Sequence, residues 1–165
     1  SSELGGDTKA IATDLTSKES ILSLATEAES CFGHIDILIN NAGRTWGKAL
    51  GTFPYQAWDK VMSLNVAGMF HLTQDLIELL SASGSPQDPS RVINIGSVMG
   101  EIPMADGAYS YAMSKSAVHH MTRILAKELA DRNITVNALA PGPQAIVSRS
   151  SKTGHLCSIR AYRLS

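Results

Sequence analysis

The sequence predicts an α/β domain built around a parallel β-sheet, and three observations carry that prediction. Apolar runs of strand length alternate with longer stretches of helical periodicity, the pattern of successive βαβ units. The polar or glycine-bearing ends of those runs, Asp14, Asn40-Asn41-Ala42-Gly43, Gly96-Ser97 and Pro141-Gly142, all fall at the C-terminal ends of the predicted strands. In an open parallel sheet they would share one edge, where ligands bind. The 165 residues are also enough for one domain with a single core.

The elements follow in order. Lys9–Asp14 reads as a first strand. Thr16 followed by Glu19 has the spacing of a capping box and opens a helix to about Cys31. "IDILINNAG" (35–43) is a buried strand that runs into Asn and Gly. Pro54 starts a long helix to about Leu80, with Trp58, Met62, Met69, Leu72, Leu76 and Leu79 as its apolar stripe. Asn65 falls on that stripe and is out of character there. "SGSPQDPS" (83–90) is a turn-rich loop and "RVINIGS" (91–97) the next strand. A helix spans about Ala108 to Arg132, with Val118, Met121, Leu125 and Leu129 inward. "ITVNALAPG" (134–142) is the last strand, stopped by Pro141.

Composition bounds the function classes. The formal net charge is −1, so nothing in the whole-chain balance points to nucleic acid or to an acidic substrate. The charge is uneven: residues 143–165 hold Arg149, Lys152, Arg160 and Arg163 with no acid, while the first 142 residues carry 10 basic and 15 acidic groups. Periodicity is lost at the same point, which sets a boundary at Gly142. Four scattered cations without an amphipathic pattern argue against a membrane or nucleic-acid patch. Cys31 and Cys157 lie far apart without CxxC spacing and fit a reducing, cytoplasmic compartment. No apolar run of about 18 residues is present, so no membrane span is expected.

Candidate chemistry gathers at the strand ends and on the last long helix. Tyr111 and Lys115 stand one helical turn apart on one face. A phenol titrates near pH 10 in water, and a neighbouring ammonium favours its ionised form, which would make it usable as a general acid or base. The competing reading is a solvent-exposed lysine on a surface helix. Lys115 also lies on the row of Val118, Leu125 and Leu129, where it would be partly buried and in need of partners. Ser97 either donates a hydrogen bond to a substrate oxygen or makes a local turn bond. Asn65 is either a buried structural amide or one that binds a water on a proton path to Lys115. Asn40–Gly43 is either a simple turn or backbone set against a nucleotide ribose. Asp14 either accepts from an adenine amino group or caps the next helix. A serine hydrolase is disfavoured because Gly-x-Ser-x-Gly is absent: the stretch reads Gly96-Ser97-Val98-Met99-Gly100. The five histidines form no ligand pattern, His119 and His120 being adjacent and so on different faces, and no metal is expected.

"DILINNAG", "LNVAGMF", "RVINIGSVMG", "YSYAMSK" and "NITVNALAPG" occur in that order, and through them the chain resembles the short-chain dehydrogenases/reductases over about residues 3–142. Within the family it is most similar to 3-oxoacyl-[acyl-carrier-protein] reductases of the rhamnolipid-biosynthesis type. The resemblance implies a Rossmann-like, doubly wound parallel sheet and a carbonyl reductase or alcohol dehydrogenase using NADP(H) in preference to NAD(H). Its substrate would be a ketone such as a 3-oxoacyl thioester. The implied catalytic set is Asn65, Ser97, Tyr111 and Lys115. Ser97 and Tyr111 polarise the carbonyl, and Tyr111 delivers the proton. Lys115 holds the nicotinamide ribose and tunes Tyr111, and Asn65 positions a relay water. The implied cofactor contacts are Asp14 and Leu15 at the adenine, Asn40, Asn41, Ala42 and Gly43 at the ribose side, Tyr111 and Lys115, and Pro141 and Gly142 at the nicotinamide wall. A homodimer or homotetramer through the helices at 55–80 and 108–132 is implied as well.

The family pattern opens with a strand and a TGxxxGxG turn that seats a pyrophosphate at a helix N-terminus. No such segment precedes residues 9–14, and Gly5-Gly6 stand before that strand. In the 3-2-1-4-5-6 strand order the expected sheet therefore lacks its first two strands and its C-terminal one. Residues 9–14 lose their sheet neighbours, and 35–41 becomes an edge. Ser97 and Tyr111 are 14 apart, one more than the common spacing, which implies a one-residue insertion in the loop between them. Residues 1–142 are thus expected to be a partial NAD(P)-binding domain, and 143–165 an irregular basic tail. The alternative expectation is a non-catalytic fragment able only to dimerise.

Overall fold

The structure, a computed structural model, describes residues 8–104 and 106–142; the predicted tail at 143–165 lies outside the described residues. Three strands, β1 (Ile37–Asn40), β2 (Ser90–Ile95) and β3 (Ile134–Leu139), pair in parallel in the order β1-β2-β3. Helix α1 (Lys18–Phe32) precedes β1, while α2 (Tyr55–Met62), α3 (Met69–Asp75) and α4 (Ile77–Ser83) connect β1 to β2. Helix α5 (Tyr109–Glu128) connects β2 to β3. This is the Rossmann-like α/β arrangement expected from the sequence, with β1 at an edge among the described residues.

Strand register sets the core. Leu38 lies opposite Val92, and Val92 opposite Val136, so one row of side chains crosses the sheet. All three are buried, in one cluster with Ile21 and Leu24 of α1, Leu72 of α3, Leu79 and Leu80 of α4, and Leu125 of α5. The alternate residues Ile37, Ile39, Ile93 and Ile95 point to the opposite face and are half-buried. Each fully buried Leu, Ile or Val contributes about 1.5–3 kcal/mol. That cluster, rather than surface ion pairs, holds the helices on the sheet.

Four predicted elements differ. Lys9–Asp14 forms no strand, because its backbone finds no strand to pair with among the described residues. It docks instead through Ile11 and the buried Leu15. The N-cap of α1 is Ser17 rather than Thr16: the Ser17 hydroxyl accepts from the Ser20 amide at 3.2 Å and donates to Glu19 Oε2 at 2.9 Å. Thr16 is drawn off because its amide and hydroxyl both donate to Asp14 Oδ1, at 2.9 and 2.7 Å, which leaves it in the turn before the helix.

The helix predicted from Pro54 to Leu80 is interrupted. Ser63–Gly68 is π-helical, and Leu76 leaves helical geometry at φ −102°, ψ 3° before α4 resumes. The π turn carries Asn65, whose side chain bonds to groups outside the helix, and ends at Gly68, which packs against the Leu15 backbone. A Cβ on Gly68 would sit 2.5 Å from the Leu15 carbonyl oxygen, and a backbone atom cannot swing aside. Gly68→Ala is therefore expected to destabilise the chain by about 1–3 kcal/mol in urea unfolding. The predicted helix to Arg132 likewise ends early: α5 stops at Glu128, and Ala130–Arg132 is a 3₁₀ turn leading to Asn133 in the left-handed region at φ 56°.

Candidate active site

Parallel pairing brings the ends of β1, β2 and β3 to one edge. Beyond β2 the chain stays tied to the end of β3, with the Gly96 amide donating to Leu139 O at 2.7 Å and the Val98 amide to Pro141 O at 3.1 Å. Helix α5 leans over this edge and supplies the charged centre of the site.

Lys115 is buried, at 4% exposure, although it is a lysine on a helix. Its Nζ donates to the Ile95 carbonyl at the end of β2 at 2.6 Å and lies 5.5 Å from the centroid of the Tyr111 ring. Burial pushes the ammonium below the ordinary lysine value of 10.5, since desolvation disfavours the charged form. The expected row is realised: Val118 and Leu129 are buried below it, and the surface reading of Lys115 fails.

Asn65 is fully buried and bonded on both ends of its amide. Its Oδ1 accepts from the Arg44 amide at 2.8 Å, and its Nδ2 donates to Arg44 O and to Ser114 Oγ, both at 2.9 Å. Ser114 in turn donates to Tyr111 O at 2.7 Å. The loop after β1, the π turn and the first turns of α5 are thereby locked together. A Cβ on Gly43 would lie 3.4 Å from Asn65 Oδ1 and 3.8 Å from Lys115 Nζ. Gly43, Asn65, Tyr111 and Lys115 thus meet at one place.

Ser114 was not singled out in the sequence. The signal that could have found it is the one that exposed Asn65. Ser110, Ser114 and Thr122 share the inward face of α5 with Val118, and all three are buried hydroxyls where apolar residues would be expected. Thr122 belongs to a second interior network. Asn94 on β2 donates to it at 2.9 Å, Asn40 on β1 donates to Asn94 Oδ1 and to Thr73 Oγ1 of α3, each at 2.9 Å, and the hydroxyls of Thr73 and Thr122 close back on their own helices. The Asn40 side chain therefore cross-links α3, β1, β2 and α5 and points inward.

Ser97 follows the end of β2, Pro141 and Gly142 follow β3, and Asp14 precedes α1. Ser97 is buried, and its Oγ accepts from the Met99 amide at 3.2 Å, the local turn bond expected of it. Accepting leaves its own O–H available to donate, so the two readings of Ser97 do not exclude each other. Asp14 is exposed and makes its bonds to Thr16, which hold its carboxyl below the usual carboxylate range; the positive charge of Arg44 adds to this. A small cleft is lined by Leu15, Asn40, Asn41 and Ala42 together with Leu64, Met69 and Leu72. Pro141 and Gly142 are exposed, with the α-carbon of Gly142 facing Val98.

Known proteins resemble this chain in sequence and in overall fold. The family model for short chain dehydrogenases matches residues 1–153. The rhamnolipids biosynthesis 3-oxoacyl-[acyl-carrier-protein] reductase of Pseudomonas aeruginosa is 47% identical over 137 residues, covering 83% of this chain and 54% of the relative. The 2-dehydro-3-deoxy-D-gluconate 5-dehydrogenase of Escherichia coli is 38% identical over 145 residues, covering 86% of this chain and 54% of that enzyme. Among solved structures, the Pseudomonas aeruginosa RhlG/NADP active-site complex superimposes with a TM-score of 0.80 at 47% identity, covering 83% of this chain and 54% of that one. The chain thus spans about half the length of these relatives. With the family match over most of its residues and the parallel sheet in common, the chain belongs to the short-chain dehydrogenase family.

Proposed function

We propose that the chain carries the proton-transfer site of an NADP(H)-dependent carbonyl reductase acting on a ketone such as a 3-oxoacyl thioester. The observation that carries this reading is the buried Lys115, hung from the Ile95 carbonyl with its charge 5.5 Å from the Tyr111 ring centroid. A buried ammonium is costly, and charges retained against that cost cluster at functional sites.

The surrounding residues fit a nicotinamide nucleotide. Without a Cβ, Gly43 leaves a recess beside Asn65 and Lys115 that a methyl group would narrow. The small cleft lined by Leu15 and Asn40–Ala42 marks the side on which the adenosine would lie. Asp14 and Leu15 would hold the adenine, Asn40–Gly43 and Lys115 the ribose hydroxyls, and Pro141 and Gly142 would border the nicotinamide. When bound, the nucleotide supplies a hydride to the carbonyl carbon.

The chain's own residues handle the oxygen. Tyr111 gives its hydroxyl proton to the carbonyl oxygen, so that the product is the alcohol, while Ser97 donates a hydrogen bond to the same oxygen. The Lys115 charge offsets the negative charge left on Tyr111. Both Nδ2 protons of Asn65 are used by Arg44 and Ser114, so a relay water would be held by the second lone pair of its Oδ1. The NADP bound in the 47%-identical complex supports NADP(H) over NAD(H), and the name of the 47%-identical reductase supports the acyl thioester.

On this reading residues 1–142 are part of an NAD(P)-binding domain and 143–165 a separate basic tail. A second reading is a chain that dimerises without turnover. Phe70 of α3 and Met113 and Ile124 of α5 are exposed and would serve that contact. Titrating NADPH into the 165-residue chain by fluorescence, with 3-oxoacyl thioester reduction followed in parallel, separates the two. Micromolar binding with turnover is expected. Dimers in sedimentation with neither binding nor turnover would establish the second reading instead.

A further inference from the structure

His119 is buried, at 7% exposure, and the proton chemistry above gives it no task. It lies four residues beyond Lys115, one turn further along α5. Its Nε2 stands 3.4 Å from the Ser97 amide nitrogen, whose N–H points at it. A Cβ on Gly96 would be 2.1 Å from the same Nε2, so glycine at 96 is what lets the imidazole reach the backbone there. On the other side of the ring, Nδ1 is 3.4 Å from Glu101 Oε1. Glu101 follows the 3₁₀ turn Val98–Gly100 that Ser97 caps. Helix α5 therefore grips the end of β2 at two points, Lys115 on the carbonyl of Ile95 and His119 on the amide of Ser97. Gly96 is held between them.

We propose that His119 is a positioning residue for Ser97: with Lys115 it fixes the backbone on both sides of Gly96, and so fixes where the Ser97 hydroxyl stands relative to Tyr111 on the same helix. This rests on the reading of Ser97 as the hydroxyl that meets the substrate oxygen. In the ring state that accepts the Ser97 amide, Nε2 carries no proton and the ring N–H is on Nδ1, which is buried and makes no hydrogen bond to Glu101. A ring protonated on Nε2 would set two donors against each other and release Ser97. The hydrogen bond is a long one, so the grip depends equally on the imidazole filling the space over Gly96.

Nitrogen NMR on the 165-residue chain tests the grip without any turnover. The parent should show His119 protonated on Nδ1 and a Ser97 amide slow to exchange. His119→Gln, which can still present an acceptor, should keep that protection. His119→Leu should speed Ser97 exchange at least about tenfold while leaving Val92 in the sheet unchanged. A parent ring protonated on Nε2, or Ser97 exchange unaffected by His119→Leu, overturns the proposal, and the parent spectrum decides even where the leucine variant does not fold. In the reduction assay His119→Leu should lower kcat about tenfold at constant KM, with His119→Gln near the parent. Equal losses in both variants would make the histidine a core-packing residue and overturn the positioning role. If Tyr111→Phe is also without effect on rate, the proton-transfer reading fails instead, and the NMR result stands by itself.

Discussion

Tyr111→Phe is expected to slow ketone reduction by about 10²–10⁴-fold, the usual worth of a positioned general acid. NADPH affinity should stay within about twofold, and the unfolding midpoint should not move. The last two expectations follow from the surroundings of the ring. Tyr111 is half-buried, and its hydroxyl has no protein hydrogen bond among the described residues, so removing it leaves nothing unpaired. Phenylalanine keeps the ring beneath the Lys115 ammonium and the helix that carries both. Rate, affinity and urea unfolding measured on one preparation check all three. A full-rate phenylalanine variant would remove Tyr111 from the reaction. A variant that lost affinity and rate together would make it a binding residue.

Lys115→Met is expected to abolish detectable reduction while leaving the chain at least as stable as the parent at neutral pH. Methionine has nearly the shape of the lysine stem and removes a charge held in an apolar setting at the cost of one hydrogen bond to Ile95 O. The pH dependence gives the sign. Burial lowers the folded-state pKa of Lys115 below the ordinary 10.5. Between the lowered value and 10.5 the unfolded chain binds the extra proton, so this residue makes stability rise with pH across that window. Below the window its penalty is constant. Urea unfolding from neutral to alkaline pH should therefore show the parent gaining on Lys115→Met as the pH rises. Parallel curves, or a methionine variant clearly weaker at pH 7, would mean that the lysine stabilises the fold instead of burdening it.

Much of this was legible one residue at a time. Alternation of strand-length and helix-length runs is a local property, and it specified the parallel sheet, because a strand buried on a packed face must be apolar whatever lies beyond it. Asn65 and Lys115 were legible for the opposite reason. Each is a polar residue at the spacing of an apolar stripe, a conflict that packing cannot tolerate without partners. Ser114 and Thr122 show the same conflict more faintly, since a small hydroxyl can satisfy itself on its own helix and so stands out less.

Other features depended on neighbours distant in sequence. Lys9–Asp14 has the composition of a strand, but a strand exists only beside another, and its backbone finds none among the described residues. Thr16 has the spacing of a cap, yet Asp14 takes its amide and hydroxyl first, and the helix starts one residue later. The break in the helix after Met62 follows from Asn65 reaching Arg44 and Ser114, and from Gly68 meeting the Leu15 carbonyl; periodicity within the helix contains neither. His119 looked like one of two adjacent histidines without a pattern, and only the pairing of β2 with β3 beneath α5 sets its ring against Gly96 and Ser97. Local pattern determined which segments are strands and helices and which polar residues needed an explanation. Tertiary structure decided which of them touch, because contacts between residues far apart in the chain depend on the register of three strands and the lie of one helix, which no single segment encodes.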